Sequence, residues 1–143
     1  MKRILVLFIA VAITYSCKSS KTGNSVTATE NSIEKKLQQT WILENLNGKV
    51  ITEKDFSSFP KIQMSSSSFS GSTGCNAIKG SLVSKDAGKL QFPNLTAETK
   101  KCEAKKEGEF LQLLRTTSGY SIANNKLTLI NQFGPTMTFK KGN

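Results

Sequence analysis

Histidine is absent from this sequence of 143 residues. Its absence excludes Ser-His-Asp and Cys-His catalytic arrangements, a histidine general base, and zinc or haem ligation through imidazole. Arginine is nearly absent, occurring as Arg3 and Arg115, although Lys and Arg together outnumber Asp and Glu by 20 to 10. Base and phosphate recognition favours arginine forks and stacked aromatic rings. The sequence therefore indicates no nucleic-acid partner, and its scattered lysines predict a solvated basic surface.

The sequence also has no hydrophobic run long enough to cross a bilayer as a helix. Lys2 and Arg3 precede an apolar run from Ile4 to Ile13, and Cys17 follows shortly after it. A helix of that length spans roughly 15 Å, about half of a bilayer core, so we predict a signal peptide rather than a transmembrane helix. A cysteine directly after a small residue at this place resembles the lipobox of bacterial lipoproteins, in which the sulfur receives a diacylglycerol. The alternative is an ordinary signal peptide with Cys17 as a free thiol.

The composition changes after Cys17 and predicts three regions. Residues 1–16 are a lipoprotein signal peptide, residues 17–30 are a flexible tether rich in Ser, Thr, Gly and Lys, and residues 31–143 are a folded domain. A tether of this kind has a reach near 20 Å, by the scaling of flexible chains. No acidic residue directly follows Cys17. By resemblance to Gram-negative sorting rules, this favours the periplasmic face of the outer membrane.

Short alternating segments separated by turn signals occupy most of residues 31–143. Asn47-Gly48 predicts a type I′ turn between two strands, and Asn124-Asn125 predicts a second tight turn. Further strands are predicted between residues 61 and 92, including one at 89–92, and between residues 120 and 140. The pattern predicts an α+β domain, in which an antiparallel β-meander forms a curved, partly closed sheet of about eight short strands with one main helix.

Helical periodicity is strongest from Glu103 to about Thr117. Phe110, Leu113 and Leu114 share one face, which we expect to pack on the sheet near residues such as Trp41 and Leu129. Lys105 and Lys106, with interleaved glutamates, are expected to form the solvated face. A capping pattern at Asn31 predicts a shorter helix through about Gln39.

The sequence contains, in this order, the segments Trp41-Ile-Leu43, Gly71 to Gly80 with Gly74-Cys75-Asn76, Thr99 to Cys102, Leu127-Thr-Leu129 and Thr138-Phe139. Taken together, these segments resemble the META domain of the HslJ-like heat-shock lipoproteins of bacteria. The resemblance covers about residues 35 to 140. It implies a fold similar to that of small lipoproteins that pilot outer-membrane secretins, links to stress tolerance, antibiotic resistance and virulence or motility, and no established catalytic activity. The sequence departs from many members at Ala77-Ile78, where they carry an arginine and an aromatic residue.

Three cysteines need assignment. If Cys17 is lipidated, Cys75 and Cys102 form an even pair in an oxidising compartment, which favours a disulfide. The alternative is two buried, reduced thiols. Two cysteines without histidine provide too few ligands for zinc, and the pair does not lie in the C-x-x-C spacing typical of redox sites.

Gly74, Asn76 and Gly80 are the remaining motif residues. Glycines in a strand-rich stretch mark bulges and bends, and their spacing here matches no phosphate-binding loop. We interpret Asn76 as structural, with its amide holding the backbone of the bend, and the alternative is a place in a ligand site. No metal, cofactor or catalytic residue is predicted.

The expected function is that of a non-enzymatic, membrane-tethered domain linked to envelope stress, with lipid on Cys17 as its membrane anchor. Its partner would be an envelope protein, a peptide or a lipid in the hollow of the curved sheet. The alternatives are a hydrolase or thiol-redox enzyme using Ser/Lys or the Cys75/Cys102 pair, and a purely structural lipoprotein. The oligomeric state stays open.

Overall fold

A computed structural model describes residues 35–84 and 86–143. The predicted signal peptide, Cys17 and the tether lie outside the described residues, as does the start of the helix predicted at Asn31. Residues 35–37 are helical and form the described end of that segment. No helix in the described part of the chain is long and apolar enough to cross a membrane.

The described residues form a nine-stranded antiparallel sheet and one main helix, α1 (Glu107–Thr116). The predicted α+β class, with a curved antiparallel sheet and one main helix, is confirmed. The strands are β1 (Thr40–Leu46), β2 (Lys49–Val50), β3 (Lys61–Met64), β4 (Ser68–Ser72), β5 (Ala77–Ser81), β6 (Thr96–Ala97), β7 (Gly119–Ala123), β8 (Lys126–Asn131) and β9 (Gly134–Lys141).

Two meanders flank β1 in the sheet. The spatial order is β6-β5-β4-β3-β1-β9-β8-β7, and β2 pairs with the end of β1. Both predicted tight turns are present: Asn47 and Gly48 have φ angles of 47° and 75°, and Asn124 and Asn125 have φ angles of 50° and 58°. Positive φ at both central positions gives the turn a twist that matches antiparallel strands, so these four residues set the register of two hairpins.

The two ends of the sheet approach each other without closing into one continuous ladder. The 83–91 segment folds back on itself through an isolated bridge between Val83 and Gln91, and a second isolated bridge, between Lys89 and Gly119, joins it to the start of β7. The strand predicted at 89–92 is therefore wrong, because this segment makes single bridges rather than a ladder. The short strand β6 was not predicted, since two residues carry no readable alternation.

The concave side of the sheet is filled by the protein's own side chains. Phe110 and Leu114 of α1 are fully buried in the same core as Trp41 and Leu129, as predicted. Leu113, the third residue of the predicted face, is only partly buried and packs at the margin of that core. The indole N–H of Trp41 donates to the carbonyl of Leu37 at 3.0 Å, which satisfies its polar atom inside the core.

The main helix begins four residues later than predicted, at Glu107. Residues 101–104 have no regular structure, and the N–H of Lys100 donates to the side chain of Asn76. Glu103 and Lys105 therefore precede the helix. Lys106 is not on a fully solvated face either: it is half-buried, and its Nζ lies 3.2 Å from a carboxylate oxygen of Asp55.

Candidate functional site

The turn between β4 and β5 contains the G-C-N motif and is largely buried. The side chains of Thr73 and Asn76 are 0% and 3% exposed. The backbone N–H of Asn76 donates to Thr73 Oγ1 at 2.9 Å, and the N–H of Thr73 donates to the carbonyl of Asn76 at 2.9 Å. This closed turn holds Cys75 half-buried at its tip, facing the 98–106 segment.

Position 74 requires glycine because of both its backbone conformation and the lack of space for a side chain. Its φ angle is +92°, and a Cβ atom placed there would lie 2.0 Å from the carbonyl oxygen of Ser58. The Ser58 hydroxyl donates to the carbonyl of Gly74 at 2.9 Å, so the 52–60 loop packs directly on the turn. Gly80 has a packing role as well, because a Cβ there would lie 2.7 Å from the Phe69 ring.

The amide of Asn76 is fully used inside the protein. Its Oδ1 accepts the N–H of Lys100 at 2.8 Å, and its Nδ2 donates to the carbonyl of Lys100 at 3.3 Å and to Glu107 Oε1 at 2.8 Å. Both amide hydrogens and the amide oxygen thus have partners. This geometry favours the structural interpretation of Asn76 over a place in a ligand site.

Glu107 connects the same turn to the start of α1. Its Oε1 also accepts the hydroxyl of Thr73. A carboxylate in the first turn of a helix interacts favourably with the positive end of the helix dipole. Glu107 therefore stabilises the helix start and the motif turn together, a role that sequence reasoning missed because the two residues it contacts are more than thirty positions away.

The structure joins Cys75 and Cys102 in a disulfide, with their Cα atoms 6.2 Å apart, inside the range that a disulfide requires. The bond lies next to the Asn76–Lys100 pairing, so the 98–106 segment is held to the turn covalently and by hydrogen bonds.

On the exposed side of this segment, a hydrogen bond and charge attraction from Lys100 hold the pKa of Glu98 below its ordinary value.

The loop that follows β2 is held against the helix start by Asp55. The backbone N–H and the hydroxyl of Thr52 donate to Asp55 Oδ2 at 2.8 and 2.9 Å, and Lys106 lies beside the other oxygen. The hydrogen bonds from Thr52, with a smaller contribution from Lys106, hold the pKa of Asp55 below its ordinary value. Beneath this pair, the rings of Phe56 and Phe110 pack edge to face, with centroids 6.3 Å apart.

An open groove of about 320 Å³ lies on the opposite, outer face of the sheet. Phe59 and Val50 line it and are 47% and 74% exposed. Lys126 and Lys140 also line it, and Lys126 pairs with Glu44 at 2.7 Å. The predicted hollow on the concave side holds Phe110 and Leu114, whereas this groove is accessible. Its remaining lining residues are Ile42, Leu43, Asn45 and Ile51.

A second cavity, of about 490 Å³, lies between the end of α1 and the β8–β9 turn. Leu113 and Phe133 contribute its apolar surface, and Phe133 is 87% exposed. Among the described residues, no group of three or more Cys, Asp or Glu side chains is placed to hold a metal ion.

The comparisons with known proteins agree with this architecture. A solved NMR structure superposes with a TM-score of 0.60 at 24% identity, covering 76% of this chain and 93% of its own. A DUF4847 family protein from Bacteroides vulgatus ATCC 8482, solved by crystallography, gives a TM-score of 0.57 at 15% identity, covering 78% and 99%. These similarities are in the fold. No curated protein gives a significant sequence match.

The family model described as the META domain matches residues 34–143, which include every described strand and the main helix. This range agrees closely with the resemblance found in the sequence, and the motif turn lies near its centre. The chain belongs to the META domain family.

Proposed function

We propose that this chain is a lipid-anchored envelope protein, and that its META domain is a non-catalytic interaction module that contributes to envelope stress tolerance, as in the HslJ-like proteins. The observation that carries the proposal is that two parts of the domain differ in whether their side chains are already engaged within the protein. The polar groups of the motif turn are used in internal bonds, while an open groove with exposed apolar side chains remains on the outer face.

The sequence supports the membrane anchor. A basic start, a short apolar run and Cys17 form a lipoprotein-like signal, and a polar tether separates Cys17 from the domain. Stable anchoring needs more than one acyl chain, and the two or three chains of a bacterial lipoprotein meet that requirement.

The anchor is tested by the substitution Cys17→Ser. We expect the variant to move from the membrane fraction to the soluble fraction, since lipid on this sulfur is the proposed attachment. Wild-type protein analysed in parallel is the control, and its acyl chains are read from the mass of its N-terminal peptide. A variant that still sediments with membranes in high salt would contradict the anchor.

The geometry gives less support to an enzyme. The hydroxyl of Ser58 donates to the carbonyl of Gly74, so it is engaged in holding the motif turn. In the described part of the chain, no lysine ammonium is hydrogen-bonded to a serine hydroxyl, which a Ser/Lys nucleophile would need. The Cys75–Cys102 bond is surrounded by structural hydrogen bonds rather than by a substrate cleft.

The interaction role is tested by photocrosslinking in intact envelopes. A photoreactive phenylalanine derivative replaces Phe59 in the groove, and in a matched control it replaces exposed Lys105, which lies before the helix. We expect adducts from position 59 and not from position 105. Equal yields at both positions, or no adduct at either, would favour a purely structural lipoprotein. Labelling by a serine-reactive fluorophosphonate would favour the hydrolase.

A further inference from the structure

The outer face of the sheet carries a row of lysines that spans four strands. Lys126 of β8 is directly opposite Lys140 of β9, Lys140 is opposite Ile42 of β1, and Ile42 is opposite Lys61 of β3. Directly opposed residues point to the same side of a sheet, and neighbouring strands lie about 4.8 Å apart, so the row is about 14 Å long. All three lysines are exposed.

This row is poorly neutralised within the domain. Glu44 pairs with Lys126, but no carboxylate of residues 35–84 or 86–143 lies within ion-pair distance of Lys61 or Lys140. Like charges directly opposite each other are unfavourable in a sheet, and Lys126 is directly opposite Lys140. The charges of Lys61 and Lys140 are therefore available to an anionic partner.

Exposed apolar side chains lie beside these charges. Phe59 and Val50 share the groove with Lys126 and Lys140. An apolar surface bordered by lysines fits a membrane interface, where rings and methyl groups enter the region between headgroups and acyl chains while ammonium groups contact phosphates.

The chemistry of the row favours a bilayer over an acidic peptide. Lysine is a flexible point charge without the rigid fork that recognises a single carboxylate or phosphate, so the diffuse negative charge of many lipid headgroups suits it better than one acidic side chain. We propose that this face, formed by Lys61, Lys126, Lys140, Phe59 and Val50, docks the domain onto the anionic lipid surface to which the chain is tethered. The inference rests on the proposed lipid anchor, which keeps the domain within about 20 Å of that surface.

Amine modification of the acylated protein in vesicles tests the docking. The mature lipoprotein is reconstituted into phosphatidylcholine vesicles, with or without phosphatidylglycerol, and modification rates are read by mass spectrometry. We expect Lys61 and Lys140 to react about fivefold more slowly on the anionic vesicles, as about 1 kcal/mol per lysine near an anionic surface implies. Lys89 and Lys105, which are exposed elsewhere on the domain, are the internal controls and should react at nearly equal rates on both vesicles.

High salt and a variant of Phe59 provide two further tests of the docking. At about 1 M salt, where the Debye length is about 3 Å, the protection of Lys61 and Lys140 should disappear. Phe59→Ser should weaken the protection on anionic vesicles, whereas Gln91→Ser, at an exposed position on the 83–91 segment, should leave it unchanged.

Two outcomes would overturn the proposal. One is equal modification of Lys61 and Lys140 on neutral and anionic vesicles. The other is protection in native envelopes but not on anionic vesicles, which would identify a protein ligand instead. The acyl chains are verified by mass before labelling, so a missing anchor, which would refute the proposed function, is distinguished from a face that stays free of lipid.

Discussion

The side chain of Asn76 pairs with the backbone of Lys100 on both of its polar atoms. Lys100 N–H donates to Oδ1 at 2.8 Å, and Nδ2 donates to Lys100 O at 3.3 Å. Two residues after Lys100, Cys102 forms the disulfide with Cys75. The motif turn therefore acts as an attachment point for a segment that has no ladder of its own.

Replacing Asn76 should lower the stability of the domain and leave binding by the outer face unchanged. Asn76→Ala removes three hydrogen bonds, one of them to the Glu107 carboxylate, and leaves partly buried polar groups unpaired. We expect a loss of about 2–3 kcal/mol in unfolding free energy, measured by denaturant titration. Gln91→Ala, at an exposed position, is the matched control. Equal stability of the two variants would contradict the structural role of Asn76.

Removing the disulfide should also lower stability. Cys75 and Cys102 are 27 residues apart in sequence, and the chain-entropy relation assigns a closed loop of this length about 3–4 kcal/mol. The double variant Cys75→Ala/Cys102→Ala, compared with wild type by denaturant titration, measures the difference. Rapid alkylation of both cysteines in the unreduced wild-type protein would instead support the reduced-thiol alternative.

The two leucines of α1 should differ in their effect on stability. Leu114 is fully buried, so Leu114→Ala should cost about 2–5 kcal/mol. Leu113→Ala should cost clearly less because its side chain lies at the margin of the core. Lys105→Ala, on an exposed residue before the helix, should change stability by less than about 0.5 kcal/mol. Denaturant melts that rank Leu113 above Leu114 would show that the helix packs by a different face.

Low pH should reduce the contribution of Asp55 to the stability of the fold. Hydrogen bonds from Thr52, and to a smaller extent Lys106, lower the pKa of Asp55 in the folded protein. The carboxylate therefore stabilises the fold fully at pH values above its unfolded pKa of about 3.9. That stabilisation is lost as the pH falls through the lower pKa of the folded protein. Asp55→Asn should therefore be less stable than wild type near neutral pH, and the difference should shrink below about pH 4. Urea melts across this range measure the effect, and a constant difference would contradict it.

The local signals in the sequence predicted most of the sheet. Asn47-Gly48 and Asn124-Asn125 adopt the positive φ angles that their turn type demands, and the strands beside them follow from alternation. The start of α1 could not be predicted, because residues 103–107 are Glu, Ala, Lys, Lys and Glu, which all favour a helix. Side-chain and disulfide contacts of the 98–106 segment with Asn76 and Cys75 hold that part outside the helix.

The lysine row explains why the outer face could not be predicted as a binding surface from the sequence. Lys61, Lys126 and Lys140 are far apart in the sequence, and they appeared as scattered charges. Only the register of four strands brings them to one line, and the pairings of β1 with β3 and with β9 are non-local. The burial of Phe110 and Leu114 on the side of the sheet where a ligand was expected depends on the same kind of non-local packing.

The central claim is that the outer face makes contact in the envelope while the motif turn is internal. Covalent footprinting of the protein in intact envelopes, compared with the purified protein, tests it most directly. The account predicts reduced labelling at Phe59, Lys61 and Lys140, and unchanged labelling at Lys100 and Lys101 beside the motif turn. Protection of Lys100 and Lys101, with Phe59, Lys61 and Lys140 labelled equally in both states, would contradict it.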